Sequence, residues 1–374
     1  MASNESSQDI QYSVLSPRFW HGMPTWIWFR ELAKNGFKVS PSKLHLALGV
    51  SFFTPFSDLL GFAQYCVYGS SIARTELAGP PLFVLGHWRS GTTLLHELLA
   101  LDETYASPTT FQCFAPRQFL VAEEIVTKYG GWLIPNKRPM DNMKAGWALP
   151  QEDEFALMNL GAPTPYLRLM FPCHEFPYQN TLSSDGFTPE ELKRWTVLFD
   201  WFLRALTYKS KKPLILKSPP HTGRLGLLKS MYPKAKFVHI VRDPRKIFPS
   251  TMKLWKSLDH VQALQVGEYE ARLKQFVLNS LATMYTSFER DRIGMSKDQL
   301  IDVHYEDLVQ DPVNVVHQIY EQLGLANFES IEPLLQNKKQ QDKEYKTNRF
   351  GLDPAEEAEI LTAWKGYATQ YGYA

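Results

Sequence analysis

Residues 86–93 read GHWRSGTT, which combines the glycines Gly86 and Gly91 with a guanidinium at Arg89 and hydroxyls at Ser90, Thr92 and Thr93. Backbone amides in a glycine-bounded turn at a helix start can hold phosphate oxygens, helped by the helix dipole. Arg89 can grip two oxygens at once. The G-x-x-x-x-G spacing is that of a nucleotide-binding P-loop, yet Thr92 stands where such a loop carries its lysine. That lysine normally reaches between β- and γ-phosphates while its Ser/Thr neighbour holds magnesium. Without it the loop is poorly equipped for a nucleoside triphosphate. It suits a single phosphate joined to another anionic group, with no metal required.

A second stretch, VRDPRKIFPS at 241–250, places Arg242 at the end of an expected strand and Ser250 about two turns into the next segment. The pair can hold a second phosphate, or Arg242 and Asp243 can simply cap a helix. A third, LPQEDEFAL at 149–157, brings acids together. Glu152 follows Pro150 into the first turn of an expected helix, where its charge is favoured, and can serve as a general base. Glu154 is the alternative, and mere decoration of a helix start is the structural one. His221, directly after KSPP, is the other candidate base, against a role as a hydrogen-bonded residue at a helix start. His87 packs or orients the loop. His96 and Glu97 do not extend to H-E-x-x-H, because position 100 is Ala, so the sequence shows no metal site.

Strands and helices must position these groups. LFVLG (82–86), LILK (214–217), KFVHIV (236–241) and LIDVHY (300–305) are short apolar runs of strand length. Each precedes a helix-like segment: TTLLHELLALD after the first, SPPHTGRLGLLKSMYP after the second, RDPRKIFPSTMKLWK after the third. After the fourth comes EDLVQDPVNVVHQIYEQLGL, punctuated at Asp311-Pro312. Such alternation predicts an α/β fold with a parallel sheet covered on both faces. Residues 104–212, rich in proline and aromatics, are expected as loops and helices over the end of the sheet where substrates bind. Residues 1–78 form an N-terminal helical extension with turns near Gly36 and Pro41, and 79–374 form the main domain. The tail, from 353 on, reads as a terminal helix.

Together the motifs resemble the PAPS-dependent sulfotransferases, especially the broad, bacterial-like group that carries RSGTT in its loop. The resemblance covers roughly residues 80–352. It implies a P-loop-like three-layer sandwich and sulfuryl transfer from 3′-phosphoadenosine 5′-phosphosulfate (PAPS) to a hydroxyl or amine acceptor by in-line displacement. By that resemblance Arg89, Ser90, Gly91, Thr92 and Thr93 hold the 5′-phosphosulfate, and Arg242 and Ser250 hold the 3′-phosphate in a separate pocket. Lys217 and Ser218 of LKSPPH lie near the transferred group, Tyr305 of VHYEDL contacts the nucleotide, and Arg349, with Lys343 and Lys346, belongs to a late nucleotide-closing segment. Arg89 and Lys217 then neutralise charge while Glu152 or His221 takes the acceptor proton. A proline-then-acid segment in related proteins matches Glu152 best. Some sulfotransferases carry their acid soon after the loop helix, where this chain has SPTTFQCFAPR and no carboxylate. The rival readings are a P-loop kinase or NTPase and a non-catalytic nucleotide-binding scaffold.

Bulk properties narrow the partners. A net charge of +1 argues against broad nucleic-acid binding, which needs an excess of Lys and Arg. Three scattered cysteines give neither a disulfide framework nor a zinc pattern, as expected of a reducing, cytoplasmic setting. Residues 45–66 are apolar but interrupted by Pro55 and Asp58, and are read as helices packed on the domain rather than a span. The aromatic segment FWHGMPTWIWF (19–29) is expected as core or lid packing, with peripheral membrane contact as the alternative. The aromatics Phe111, Phe114, Trp132, Trp147, Phe155, Tyr166, Phe171, Phe176 and Tyr178 suggest an apolar pocket for a small-molecule or lipid-like acceptor, or else a packed core.

Overall fold

A computed structural model describes residues 16–135, 144–341 and 351–374. Its centre is a sheet of four parallel strands, β1 (Leu82–Leu85), β2 (Ile215–Lys217), β3 (Lys236–Val241) and β4 (Leu300–His304), in the order β2-β1-β3-β4. All four strands expected from the apolar runs form. Their ends are trimmed where the chain turns away: Gly86 leaves β1, Leu214 pairs with Ala106 in an isolated bridge, and Tyr305 opens a helix. The strand side chains are buried on both faces nearly throughout, which explains runs without polar alternation.

The helices before β2 are α1 (Thr25–Lys34), α2 (Leu44–Arg74), α3 (Thr92–Leu99), α4 (Thr110–Phe114), α5 (Phe119–Tyr129), α6 (Asp153–Leu160) and α7 (Pro189–Ser210). After β2 come α8 (Leu225–Met231), α9 (Pro244–Gln262), α10 (Glu270–Asp291), α11 (Tyr305–Gln310) and α12 (Pro312–Leu323), followed by three more C-terminal helices. On one face of the sheet Phe83, Leu216 and Phe237 pack with Phe199 of α7 and Met284 of α10. On the other, Val84, Ile215 and Val238 pack with Leu95 of α3 and Ile319 of α12. The result is a three-layer sandwich.

Three expectations change. The apolar stretch 45–66 is not a set of packed helices but part of the single 31-residue helix α2, which runs through Pro55 and packs along one side only. The segment 19–29 divides: Trp20, Met23, Ile27 and Trp28 are buried, while Trp26 and Phe29 are exposed. The expected tail helix is two, Pro354–Ala363 and Lys365–Gln370, broken at Trp364.

The strand order places a topological switch between β1 and β3: the chain goes from β1 to one neighbour, β2, then returns to the other side for β3. In open α/β sheets such a switch point is where loops diverge and ligands bind, outside the carboxyl ends of the strands. The 86–93 loop leaves β1 at this point and Arg242 leaves β3. The loop needs its glycines. Gly91 has φ 107°, and a Cβ on it would lie 2.3 Å from Cδ2 of Tyr305. Gly91→Ala should therefore lower unfolding free energy by about 1–3 kcal/mol, combining backbone strain with a ring displacement. Urea denaturation of the pure protein measures it.

Candidate active site

The carboxyl ends of all four strands converge: Lys217 from β2, residues 86–93 from β1, Arg242 from β3 and Tyr305 after β4. Within the loop, Ser90 closes a turn, its amide and its Oγ both donating to the carbonyl of His87 at 3.1 and 2.8 Å. Its hydroxyl thus shapes the loop instead of pointing at a ligand, and the residue is wholly buried. Arg89 (φ 68°) and Gly91 adopt positive φ on either side of Ser90, the kind of backbone alternation from which anion nests are built. The first-turn amides of α3 follow directly, and intrahelical bonding cannot use them. Thr92 is buried, and Thr93 is half-buried.

The two motifs expected to bind anions lie against each other. Arg89 Nε donates to Ser250 Oγ at 2.9 Å, and Arg242 Nη1 donates to the carbonyl of Arg89 at 2.9 Å. The Arg242 guanidinium lies 4.0 Å from the ring centroid of Tyr305, a cation–π contact. Tyr367 holds the Arg242 backbone, accepting from its amide at 2.9 Å and donating to its carbonyl at 2.8 Å. Arg89, Gly91, Arg242, Ser250 and Tyr305 therefore form one wall. Asp243 does cap α9, accepting from the amide of Arg245, while the Arg242 side chain contacts Arg89 and Tyr305 instead of the helix start. Arg349, Lys343 and Lys346 lie outside the described residues.

The opposite wall is acidic. Glu152 is the N-cap of α6, and its carboxylate accepts from Lys217 Nζ at 2.8 Å and from Tyr166 Oη at 2.5 Å. Lys217 Nζ also reaches Thr93 Oγ1 at 3.4 Å. Tyr166 Oη accepts from Trp88 Nε1 at 2.8 Å. The loop is thus tied to Glu152 twice, from Trp88 through Tyr166 and from Thr93 through Lys217. Burial, then the neighbouring Glu152 charge, pushes the Tyr166 hydroxyl well above its usual range, so it stays a donor. From sequence, Tyr166 stands among acceptor-pocket or core aromatics and Trp88 has no role; a hydrogen bond is foreseen for neither. Their indole and phenol polar ends, which buried Trp and Tyr normally satisfy, were the missed signal.

His221 is elsewhere. It is fully buried, 2.6 Å from Asp153 and enclosed by the rings of Phe83, Trp195 and Phe199. Burial alone would raise Asp153, but the His221 charge and hydrogen bond outweigh it and hold that carboxyl below its usual range. Glu154, also fully buried, pairs with Arg224 at 2.7 and 3.1 Å and accepts from Thr164 Oγ1 at 2.5 Å. Neither faces the loop as Glu152 does. Burial pushes His87 and His96 down to about 3, so both are neutral near pH 7. No cluster of metal-ligating side chains occurs among the described residues.

Of the expected acceptor aromatics, Phe114, Trp147, Phe155 and Tyr166 are buried around the acidic wall, with Phe155 and Tyr166 ring centroids 5.1 Å apart. Trp132 instead is exposed.

Residues 80–330 match the model of the sulfotransferase family. The chain is 35% identical over 372 residues to the omega-hydroxy-beta-dihydromenaquinone-9 sulfotransferase Stf3 of Mycobacterium bovis, covering all of this chain and 95% of the relative. The Stf3 of Mycobacterium tuberculosis matches to the same extent. Among solved structures, sulfotransferase STF9 from Mycobacterium avium is similar with a TM-score of 0.62 at 18% identity, over 93% of this chain and 96% of the other. STF1 from Mycobacterium tuberculosis gives 0.60 at 17%, over 91% and 90%. These structures share the fold.

Replacing Glu154 by Gln leaves the buried Arg224 without a counter-charge while preserving shape. That change should destabilise the fold by about 3–5 kcal/mol, seen as a lower urea midpoint at unchanged slope.

Proposed function

We propose a specific reaction for this chain, which belongs to the sulfotransferase family: transfer of a sulfuryl group from PAPS to the hydroxyl of a lipophilic acceptor. The enzyme is a sulfotransferase; donor, acceptor and residue roles are our reading. One observation carries it. Lys217 ties the carboxylate of Glu152 to Thr93 at the end of the glycine loop, and the same loop contacts Ser250 and Arg242 through Arg89.

The fit to PAPS rests on the nest at 89–91, the open amides at the start of α3, and two arginines already oriented. When bound, PAPS would supply an activated sulfuryl group on a phosphate leaving group. Gly91, Thr92 and Thr93 would hold the 5′ end with Arg89, while Ser90 keeps the loop in shape. Arg242 and Ser250 would hold the 3′-phosphate, with Tyr305 beside them. Arg349 remains part of the proposed nucleotide-closing segment.

Lys217 is placed to serve both substrates. Its ammonium would offset charge on the transferred group and the departing phosphate, a preorganised electrostatic role. Glu152 would take the acceptor's proton as the acceptor oxygen bonds to sulfur and the bridging S–O bond breaks, leaving adenosine 3′,5′-bisphosphate. Tyr166 and Lys217 fix the carboxylate for that task. His221 would act only as a positioning residue, through Asp153 and α6.

The acceptor reading draws on two supports. The Mycobacterium relative at 35% identity is named for an omega-hydroxylated dihydromenaquinone. The surroundings of Glu152 here are aromatic, with Phe155, Tyr166 and Trp88 adjoining. A hydroxyl carried on an apolar chain fits both.

Calorimetry with adenosine 3′,5′-bisphosphate tests the donor half. Wild type should bind, and Arg242→Ala should bind roughly ten- to hundredfold more weakly, as expected for losing a charged hydrogen-bonding group. No binding by wild type would overturn the donor assignment. Kinetics test the base. Glu152→Gln should lower kcat by about 10²- to 10⁴-fold while leaving nucleotide affinity near that of wild type. A variant with full kcat would remove Glu152 from the mechanism.

A further inference from the structure

The helix α2 is built inside out for water. Its side toward the protein carries apolar Leu46, Val50 and Ile72 toward the ends, but between Thr54 and Gln64 it is small and polar: Thr54, Ser57, Gly61 and Gln64 are all buried. Ser57 Oγ donates to Gln118 at 2.7 Å, and Gln64 accepts from the amide of Leu120 at 2.8 Å. The opposite side carries Leu48, Phe52, Phe56, Leu59 and Phe62, spaced three and four residues apart and therefore on one face. Phe52 is 89% exposed, and the others are between 54 and 68%. Ordinary surface helices point apolar side chains at the core and polar ones at solvent. Here the pattern is reversed, as in helices whose outer solvent is lipid and whose packed face uses small and polar contacts.

We infer that this face of α2, with Trp26 and Phe29 of α1, is a membrane-docking surface, and that its occupant is the interfacial layer of a lipid bilayer. The helix is long and apolar enough to cross a membrane by length and composition. Its packing, however, runs from Leu46 to Ile72 along one side, so its whole length lies against the domain. A helix held that way can lie in the plane of a membrane but cannot thread through it. Charge distribution favours lipid with anionic headgroups. Lys34 and Lys38 are exposed just before α2, and Arg74 is exposed at its end. Inside the helix the sole acid, Asp58, is engaged by the amide of Thr25 at 3.0 Å and by Arg117 at 2.6 Å. Glu76, just beyond the helix, is the exposed acid at that end. Cations flanking an apolar strip match an anionic interface. A patch of this extent is also larger than isolated surface hydrophobes would produce.

The inference stands apart from the proposed donor and acceptor, since it needs neither to be present. Flotation of the full chain with phosphatidylcholine vesicles containing phosphatidylglycerol tests it. Wild type should rise with the vesicles, and Phe52→Glu combined with Phe56→Glu should reduce the bound fraction at least about tenfold. Both positions are exposed, so the fold should be kept, as unchanged circular dichroism and nucleotide binding would show. Val266→Glu, at an exposed apolar residue of a different segment, should float like wild type. Failure of wild type to float, or equal flotation of the double variant, would overturn the assignment. So would sedimentation showing that the wild type is a dimer which the double variant dissociates, since the face would then belong to a second copy of the chain.

Discussion

Three acidic side chains in a row are buried here, and each has its own partner. Glu152, Asp153 and Glu154 are met by Lys217, His221 and Arg224, in the same order along the chain. The spacing works because β2 ends at Lys217 and the chain continues through a 3-10 turn, Pro219–Arg224, that offers side chains to the start of α6 at successive heights. Ser218 Oγ accepts from the amide of Glu154 at 2.9 Å, closing the contact between the two segments. Breaking any member of such a set leaves an uncompensated charge in a low-dielectric interior, which costs far more than a surface pair is worth.

The same short segment also governs the loop. Thr222 Oγ1 accepts from the amide of Gly86 at 2.7 Å, where the chain leaves β1, and Lys217 meets Thr93 where α3 begins. Residues 217–224 therefore hold the acidic wall through Lys217, His221 and Arg224 and the ends of the glycine loop through Thr222 and Lys217, which serves both. The distance between carboxylate and anion nest is fixed by packing, not by a flexible linker. Preorganisation of this kind keeps catalytic groups from having to reorient as charge develops.

Much of this was legible from residue order. Four apolar runs gave the strands, and each motif was recognisable where it left a strand end. Strand order was not legible, because pairing partners depend on how crossovers return across the sheet and not on local composition. Without that order the loop and Arg242 looked like two sites, whereas the switch between β1 and β3 makes them neighbours. His221 was ambiguous for a related reason. Its type suits proton transfer, and only the enclosing rings of Phe83, Trp195 and Phe199 show that it has no open side. Tyr166 was legible only as an apolar ring, whereas its contacts to Glu152 and Trp88 run through its one oxygen. The polarity of α2 was hidden because composition reports how apolar a segment is, not which side faces out.

The placement of charge divides the molecule by solvent. Cations and open amides gather at the carboxyl ends of the strands, where the proposed anionic donor would be held by groups already paired with one another. Arg242 is stacked on Tyr305 and bonded to the Arg89 carbonyl before any ligand arrives, so little side-chain freedom is left to lose. Around Glu152 the character changes within one side chain, from the ammonium of Lys217 to the rings of Tyr166 and Phe155. A hydroxyl delivered there from an apolar chain would leave its tail among aromatics and bring only its reacting end to the charged groups. Desolvation of that tail favours binding, and the loss of water around Glu152 and Lys217 strengthens their electrostatic hold on the reacting atoms.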